Sequence, residues 1–324
     1  MDQLEIIKKP VKAEIAEFEK YFKSKIISSV PLLDIITNYI LRRKGKLIRP
    51  LLVFLSAKLV GEVNKSTYSA ATLIELLHTA TLIHDDVVDE SYERRNHLSI
   101  NAIWKSKVAV LVGDYFLSTG LLFSIAENEY KLLESVSRSV KDMSEGELLQ
   151  IQSSNKALID IDNYFNIIKK KTASLISTCT LCGAQSSTNN PELHEKLQQF
   201  GMFVGIAFQI KDDVFDYQQK GLIGKPIGND IKEKKYTLPL ILALKNASSK
   251  ECKKIIRNIN TNDFSKLKFN EVVQFVIRNN GIIETEKYLL DYKNKALDIL
   301  RSFPDNEAKK SLSLFAEFAI NRNK

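Results

Sequence analysis

The chain has 324 residues, of which 44% are apolar and 27% charged, enough for a packed globular core. Its 12 Gly and 7 Pro exclude a collagen-like or disordered chain, and its 3 Cys exclude a disulfide framework and indicate a reducing compartment. The net charge is +8, but lysines scattered among glutamates argue against a nucleic-acid partner. With no secretory signal pattern and no apolar run of bilayer length, we expect a cytoplasmic protein without a transmembrane segment.

Nearly the whole chain predicts helices, because apolar residues recur every three or four positions. In chain order, the clearest helices are 66–89, 108–126 and 191–217, and Gly and Pro fall in the gaps between segments. The middle parts of two of them, 72–83 and 201–210, are apolar on almost every side, which is typical of helices buried on most faces. No linker or repeat marks a boundary. The sequence therefore predicts an all-α fold with a single domain over 1–324, built as one large helical bundle.

Two aspartate clusters of the pattern D-D-x-x-D follow the apolar helices. Their members are Asp85, Asp86, Asp89, Asp212, Asp213 and Asp216. The first and last aspartates of each cluster are four residues apart, so they share a helix face and repel each other. Oxygen ligands in ones and twos suit Mg²⁺, which keeps waters and shares its other positions with substrate phosphates. A solvated helix end would explain one such cluster, and the spacing excludes an EF-hand, but two matching clusters predict a Mg²⁺ site.

Basic residues that suit diphosphate oxygens surround both clusters in the sequence. Arginine offers a bidentate fork and lysine a point charge, and both bind phosphate oxygens. These residues are Lys46, Arg49, Arg94, Arg95, Lys171, Lys225 and Lys235. Each alone would ordinarily be a surface charge. Together with two Mg²⁺-type acidic clusters they predict a site for two diphosphates.

These motifs resemble those of the all-trans polyprenyl diphosphate synthases, relatives of farnesyl diphosphate synthase, and look most like the long-chain octaprenyl type. The resemblance extends over about 45–239. The matching segments, in order, are GKLIRP (45–50), HTATLIHDDVVD (78–89), the paired arginines, VGDY (112–115), EGELLQ (145–150), KTA (171–173), FQIKDDVFD (208–216), GKP (224–226), Asp230 and KYTLP (235–239). Asn96 and Lys234 stand where these enzymes usually have glycine.

The resemblance implies an isoprenoid-synthase fold, a homodimer, and head-to-tail elongation of an allylic diphosphate with isopentenyl diphosphate. It implies Mg²⁺ as the cofactor, three ions in each site, with Mn²⁺ as a substitute. The implied metal ligands are Asp85, Asp89 and Asp212, with Asp86, Asp213 and Asp216 as outer or water-mediated partners. The allylic diphosphate would contact Arg94, Lys171, Lys225 and Lys235. The diphosphate of isopentenyl diphosphate would contact Lys46, Arg49, His78 and Arg95. The catalytic set is Lys171, Thr172, Gln209 and Lys225, in which Thr172 and Gln209 line the developing cation.

The residues before Asp85 predict the product length. Ala80 and Thr81 lie about one helical turn before Asp85, and both are small, whereas short-chain relatives commonly have a bulky aromatic at this level. Leu77 lies about a turn deeper. The resemblance therefore favours a long product of about octaprenyl length, with a peripheral membrane contact as a route for its release. The alternative is a short-chain geranylgeranyl or farnesyl diphosphate synthase.

Three other classes of protein fit the pattern less well. A non-catalytic partner subunit would have lost an aspartate cluster or the paired arginines, and a terpene cyclase has a second metal motif that mixes Asn, Ser or Thr with Glu. A basic helical nucleic-acid binder leaves both aspartate clusters unexplained. Cys179 and Cys182 form a C-x-x-C with no second pair, which favours small core residues over zinc. His84 immediately precedes the first aspartate. A group that orients the carboxylates would explain it, but a plain helix-face histidine explains it at least as well, so the predicted site omits it.

Overall fold

The structure is almost entirely helical, which confirms the predicted all-α class. This computed structural model describes residues 3–42, 45–94, 97–156, 160–217, 231, 235–261 and 266–321. The helices up to residue 156 are α1 (Gln3–Lys8), α2 (Lys12–Lys25), α3 (Pro31–Arg42), α4 (Ile48–Val60), α5 (Lys65–Val88), α6 (Ile100–Ala126) and α7 (Tyr130–Lys156). The later helices are α8 (Ile161–Ile168), α9 (Ser174–Ser187), α10 (Pro191–Phe215), α11 (Leu238–Asn246), α12 (Ser249–Asn260), α13 (Lys266–Arg278), α14 (Gly281–Arg301) and α15 (Glu307–Asn321).

Two short non-α turns and one ribbon complete these elements. A 3₁₀ turn, Lys9–Val11, follows α1, and a π-helical turn, Lys169–Ala173, lies between α8 and α9. Strands β1 (Glu93–Arg94) and β2 (His97–Leu98) form an antiparallel ribbon. The sequence did not predict this ribbon, because strands of two residues are too short to show an alternating pattern.

Contacts between Cα atoms divide the chain into two compact units. The first unit comprises Met1–Val140, Thr178–Gln198 and Phe303–Leu312. The second unit comprises Lys141–Ser177, Gln199–Ser302 and Ser313–Lys324. Each unit is therefore assembled from separate stretches of sequence, and the single domain predicted over 1–324 stays a prediction.

The core of the first unit contains α4 and α5. Residues 51–55 of α4 are fully buried, and α5 packs against both α4 and α6. Asn64 caps α5: its side chain accepts hydrogen bonds from the backbone N–H groups of Ser66 (2.8 Å) and Thr67 (3.3 Å). A capped, deeply buried helix holds the aspartates at its other end on a rigid support.

The core of the second unit contains α8, α10 and α11. Tyr164 and Phe165 of α8 pack with Ile206 and Ile210 of α10 and with Leu238 of α11, all at least nine-tenths buried. This packing places the carboxyl end of α10 beside the amino end of α11, where the second aspartate cluster lies.

Helix α6 is longer than the predicted 108–126. It contains a kink at Lys105, whose φ of 70° and ψ of 161° are not helical. The apolar spacing that predicted 108–126 therefore does not continue into the segment before the kink. Among the described residues, α6 alone has the length and apolar composition of a membrane span. Length and apolar composition do not by themselves indicate a membrane span, because core helices of water-soluble proteins meet the same criterion.

Candidate active site

In the first unit, the first aspartate cluster lies at the carboxyl end of α5. Asp85 is half-buried, Asp86 is 4% exposed and Asp89 is exposed. The backbone N–H of Asp89 donates to the carbonyl of Asp85 (2.8 Å), and that of Ser91 donates to the carbonyl of Asp86 (2.9 Å). The helix dipole is negative at this end, and the carboxylates repel each other. Both effects favour a cation here.

The predicted anion-binding residues Lys46 and Arg49 lie at the amino end of α4. Leu47 precedes the helix with a left-handed φ of 51° and turns the chain into α4. Lys46 is exposed and Arg49 is half-buried. The positive end of the helix dipole adds to these two charges, so this helix end favours an anion.

A cavity of about 180 Å³ in the first unit connects these two features. Gly45 and Leu47 line it from the loop before α4, and His78 and Asp86 line it from α5. His78 is 6% exposed, so its ring is already shielded from bulk water. Arg94 lies in β1, where its backbone pairs with His97, and Arg95 lies outside the described residues.

In the second unit, Lys171 and Thr172 lie within the π-helical turn. Two glycines approach this turn closely: a Cβ atom on Gly146 would lie 2.6 Å from the Lys171 nitrogen, and one on Gly205 would lie 2.6 Å from the Ala173 Cα. A side chain at either position would therefore displace the turn. Such single π-helical turns are frequent at functional sites.

Ion pairs orient the two lysines of this turn. The Lys171 ammonium lies 2.6 Å from a Glu147 carboxylate oxygen and donates to the Gln150 side chain (3.1 Å). The Lys170 ammonium contacts Glu145 (2.6 Å) and Asp142 (3.0 Å). The hydrogen bonds to Glu145 and then Asp142 raise the pKa of Lys170 above its ordinary value. Both lysines thus have carboxylate partners on α7, and Lys171 also lines a cavity of the second unit.

A chain of hydrogen bonds connects Thr172 to the second aspartate cluster. The Thr172 hydroxyl donates to Gln209 Oε1 (3.1 Å), and Gln209 Nε2 lies 3.4 Å from Asp213 Oδ1. Asp213 Oδ2 accepts from the Tyr164 hydroxyl (2.7 Å) and from the Leu238 backbone N–H (3.2 Å). Asp213 is 3% exposed, so these donors replace water around a buried carboxylate. No sequence motif indicated Tyr164, and the KYTLP motif contains Leu238 without indicating that its amide binds Asp213.

These groups line one cavity of about 160 Å³ in the second unit. The predicted residues on its wall are Lys171, Thr172, Gln209, Asp213 and Lys235. Asp212 and Asp216 are half-buried at the same end of α10. Lys225, the remaining predicted catalytic residue, lies outside the described residues, as do Asp230, Asn96 and Lys234.

The donor groups fit a divalent cation that is shared with a phosphate ligand. No group of three His, Cys, Asp or Glu side chains within the described part of the chain could hold an ion by itself. A hard cation such as Mg²⁺ is commonly held by one or two carboxylates, with water and phosphate oxygens in its other positions. In the first unit these carboxylates would be Asp85 and Asp89 at the end of α5. In the second unit the carboxylate would be Asp212 at the end of α10.

The predicted chain-length residues all lie on α5 in the first unit. Leu77 and Ala80 are each 2% exposed, and the Thr81 hydroxyl donates to the His78 carbonyl (2.9 Å). Gly120 of α6 lies opposite Leu77, where an added Cβ would be 3.3 Å from Leu77 Cδ2.

The cysteines of the C-x-x-C are core residues of α9. Cys179 and Cys182 are fully buried and are not joined in a disulfide. Burial raises the pKa of the Cys179 thiol to about 12 and raises that of Cys182 as well. Thiols that stay protonated are poor metal ligands.

Taken unit by unit, these features define an all-helical protein whose buried helices end in acidic clusters and whose cavities carry groups for phosphate ligands. A family model described as Polyprenyl synthetase matches residues 30–276, and the chain belongs to this family, which confirms the family identified from the motifs.

Proteins of known activity resemble the chain over nearly its whole length. It is 35% identical to an all-trans-nonaprenyl-diphosphate synthase (geranyl-diphosphate specific) of Rhodobacter capsulatus, covering 97% of this chain and 96% of that protein. It is 33% identical to the octaprenyl diphosphate synthase of Escherichia coli (strain K12), covering 99% of each. A polyprenyl synthase from Caulobacter crescentus CB15, crystallised with calcium and isoprenyl diphosphate, superposes with a TM-score of 0.89 at 31% identity, covering 98% of each chain.

Proposed function

We propose that the protein is a trans-prenyltransferase that elongates an allylic diphosphate by successive condensations with isopentenyl diphosphate. The product is a long-chain all-trans polyprenyl diphosphate, and each step releases pyrophosphate. The observation that carries this proposal is the hydrogen-bonded chain from Thr172 through Gln209 to Asp213, beside Lys171 and Lys235 in one cavity. Cationic groups and oriented dipoles around one space suit a reaction that separates an anion from a carbocation.

The proposed reaction needs no protein nucleophile. The allylic carbon–oxygen bond breaks, and its electron pair leaves with the pyrophosphate. Lys171 and Lys235 of the second unit would bind this leaving group, and bound Mg²⁺ would supply further positive charge. The Thr172 and Gln209 side chains would line the allylic cation. The double bond of isopentenyl diphosphate then forms the new carbon–carbon bond, and the proton lost goes to the released pyrophosphate.

We assign isopentenyl diphosphate to groups of the first unit. Lys46 and Arg49, at the amino end of α4, would bind the diphosphate of isopentenyl diphosphate together with Arg95 and His78. The exposed Lys46 ammonium, the positive helix end and the neighbouring cavity support this assignment.

An assay with defined substrates tests the enzyme class. The protein is incubated with labelled isopentenyl diphosphate, an allylic diphosphate and Mg²⁺, and the products are resolved by length. EDTA should abolish turnover, and Mg²⁺ or Mn²⁺ should restore it. Asp85→Ala and Asp212→Ala should each lower turnover by orders of magnitude, because each removes stabilisation of the departing pyrophosphate. Near-normal turnover in either variant would show that the metal assignment of that cluster is wrong.

We propose a product of about octaprenyl length, with a geranylgeranyl or farnesyl product as the alternative. The small, buried Ala80 supports the long product, as do the nonaprenyl and octaprenyl synthases among the relatives. Ala80→Phe should shorten the product sharply while the first condensation continues, because the ring would occupy the level just beyond the aspartates. Ala80→Ser is the matched control and should keep the product length. Unchanged products in Ala80→Phe would show that the growing chain does not pass Ala80.

We further propose that the enzyme is a cytoplasmic homodimer with three Mg²⁺ ions in each site. An apolar stripe on α6 supports the dimer: Leu111, Leu122 and Ile125 are 60%, 68% and 50% exposed, and their spacing places them on one helix face. Light scattering after size exclusion should give twice the chain mass, and Leu122→Glu should reduce it to one chain mass. A monomeric wild type would exclude this assembly.

A further inference from the structure

A histidine beside the first aspartate cluster makes a contact that the proposed chemistry does not explain. His84 immediately precedes Asp85 on α5, and 35% of its side chain is exposed. Its Nε2 atom lies 3.2 Å from the Val110 carbonyl oxygen and 3.5 Å from Asp114 Oδ1, both on α6. A carbonyl oxygen only accepts hydrogen bonds. In this contact the Nε2 atom therefore carries a hydrogen and donates a hydrogen bond to the Val110 carbonyl. The ring therefore bridges the two helices.

A glycine on α6 makes room for this ring. A Cβ atom on Gly113 would overlap the His84 imidazole. A glycine inside a helix makes that helix less stable than an alanine would. A glycine at this position of α6 therefore indicates a space that must stay open. About two turns further along α6, the same atom added to Gly120 would lie 3.3 Å from Leu77, a contact that a small shift relieves. A side chain is therefore excluded much more strictly at Gly113, opposite His84, than at Gly120.

The last turn of α5 needs a stabilising contact, because its carboxylates destabilise the helix end. Asp85 and Asp89 repel each other and lie at the negative end of the dipole. A second contact with α6, from Asn101 Nδ2 to the Asp86 carbonyl, is 3.5 Å long and correspondingly weak. The His84 bridge lies one residue before the cluster and directly opposes rotation of this last turn.

We propose that His84 is a positioning residue that sets the direction in which Asp85 and Asp89 point, through its contacts with Val110 and Asp114. The segment 112–115, which the sequence singles out without a role in diphosphate binding, then has a function in supporting the metal-binding helix end. This inference rests on the proposed function, because it takes these carboxylates to bind a divalent cation together with a diphosphate.

The test measures cation binding directly, with Mn²⁺ and inorganic pyrophosphate as the probe and electron paramagnetic resonance as the readout. His84→Ala should weaken Mn²⁺ binding by about tenfold, the lower end of the range for losing a group that orients a metal ligand. The Mg²⁺ concentration for half-maximal turnover should rise by a similar factor, and the KM for isopentenyl diphosphate should stay within about twofold. His84→Gln should recover most of the affinity, because a glutamine amide can donate to the same carbonyl.

A matched control separates this role from general helix stability. His194 also has its Nε2 atom against a backbone carbonyl, that of Thr188 at 2.8 Å, but it lies at the start of α10. His194→Ala should therefore leave Mn²⁺ binding unchanged.

Three outcomes would overturn the inference. Wild-type Mn²⁺ affinity in His84→Ala, with Asp85→Ala deficient, would exclude the positioning role and leave the proposed function intact. Wild-type affinity in Asp85→Ala would remove the metal role of this cluster and the positioning role with it. If His84→Ala does not fold, Gly113→Ala replaces it, since the added methyl group must displace the ring. A folded Gly113→Ala with normal Mn²⁺ affinity would then exclude the proposal.

Discussion

Substitutions at the two adjacent aspartates of the second cluster should affect different properties, one chiefly stability and the other chiefly activity. Asp213 is 3% exposed and accepts hydrogen bonds from Tyr164 and from the Leu238 N–H, whereas Asp212 is half-buried at the helix end. We therefore predict that Asp213→Ala mainly destabilises the fold and that Asp212→Asn mainly removes activity. The two changes affect neighbouring residues of one motif, so each serves as the control for the other.

The hydrogen bonds of Asp213 set the magnitude of its effect. A hydrogen bond to a charged group contributes about 1.5–3 kcal/mol. Asp213→Ala loses the bonds from Tyr164 and the Leu238 N–H, together with the longer 3.4 Å contact from Gln209, and leaves the first two donors buried and unsatisfied. The free energy of unfolding should fall by roughly 3–6 kcal/mol, a large part of the roughly 5–15 kcal/mol of a typical protein. Asp213→Asn keeps one acceptor oxygen for the same donors, so its loss should be about 1–2 kcal/mol. Asp212→Asn should change stability by less than about 1 kcal/mol, because it also relieves repulsion within the cluster.

Urea unfolding followed by circular dichroism measures the first effect, and steady-state turnover with Mg²⁺ titration measures the second. A double-mutant cycle with Tyr164→Phe isolates the contribution of the 2.7 Å bond, and the two substitutions should not be additive. The reasoning is refuted if Asp213→Asn leaves the urea midpoint unchanged, or if Asp212→Asn lowers it more than Asp213→Asn does.

Further predictions concern the proposed diphosphate-binding residues, the cysteines and the π-helical turn. Lys46→Ala should chiefly raise the KM for isopentenyl diphosphate and Arg94→Ala that for the allylic substrate; equal effects of both on both substrates would contradict the assignment of two diphosphate sites. At pH 8, iodoacetamide should modify the half-buried Cys252 and spare Cys179, because burial raises the pKa of Cys179 from 9.0 to about 12; peptide mass spectrometry would detect any labelling of Cys179. The same shift means that stability falls as pH rises from 9.0 towards 12, where the thiol ionises only in the unfolded chain. Gly205→Ala should displace the π-helical turn and lower kcat about tenfold or more, and unchanged kcat would show that the turn tolerates a methyl group there.

Local sequence patterns predicted the helices that carry the aspartates. The predicted 66–89 and 191–217 correspond to α5 (Lys65–Val88) and α10 (Pro191–Phe215). The stretches just before the aspartates, 72–83 in α5 and 201–210 in α10, are buried or half-buried throughout, so their apolar runs end where the acidic residues begin. The start of α6 was placed too late, since the backbone at Lys105 leaves the helical region within a polar stretch.

The contacts that orient the predicted catalytic groups could not be predicted in this way. The π-helical turn depends on the absence of side chains at Gly146 and Gly205, which are distant from it in sequence. The donors of Asp213 are the Tyr164 hydroxyl and a backbone amide at the start of α11. A single sequence shows which residues carry charge, but it does not show which distant backbone approaches them.

The two clusters share a division between their middle and outer aspartates, and helix geometry explains it. The first and last aspartates are four residues apart and share a face, while the middle one is rotated by about 100° from the first. Asp86 and Asp213, the middle aspartates, are 4% and 3% exposed, whereas each outer aspartate is half-buried or exposed. A helix that buries one carboxylate must supply donors for it, and a helix that crowds two more at its negative end needs a cation to offset them. The same pattern of three aspartates therefore combines a structural anchor with the proposed metal-binding face, and this explains why the loss of different aspartates should be detected by different measurements.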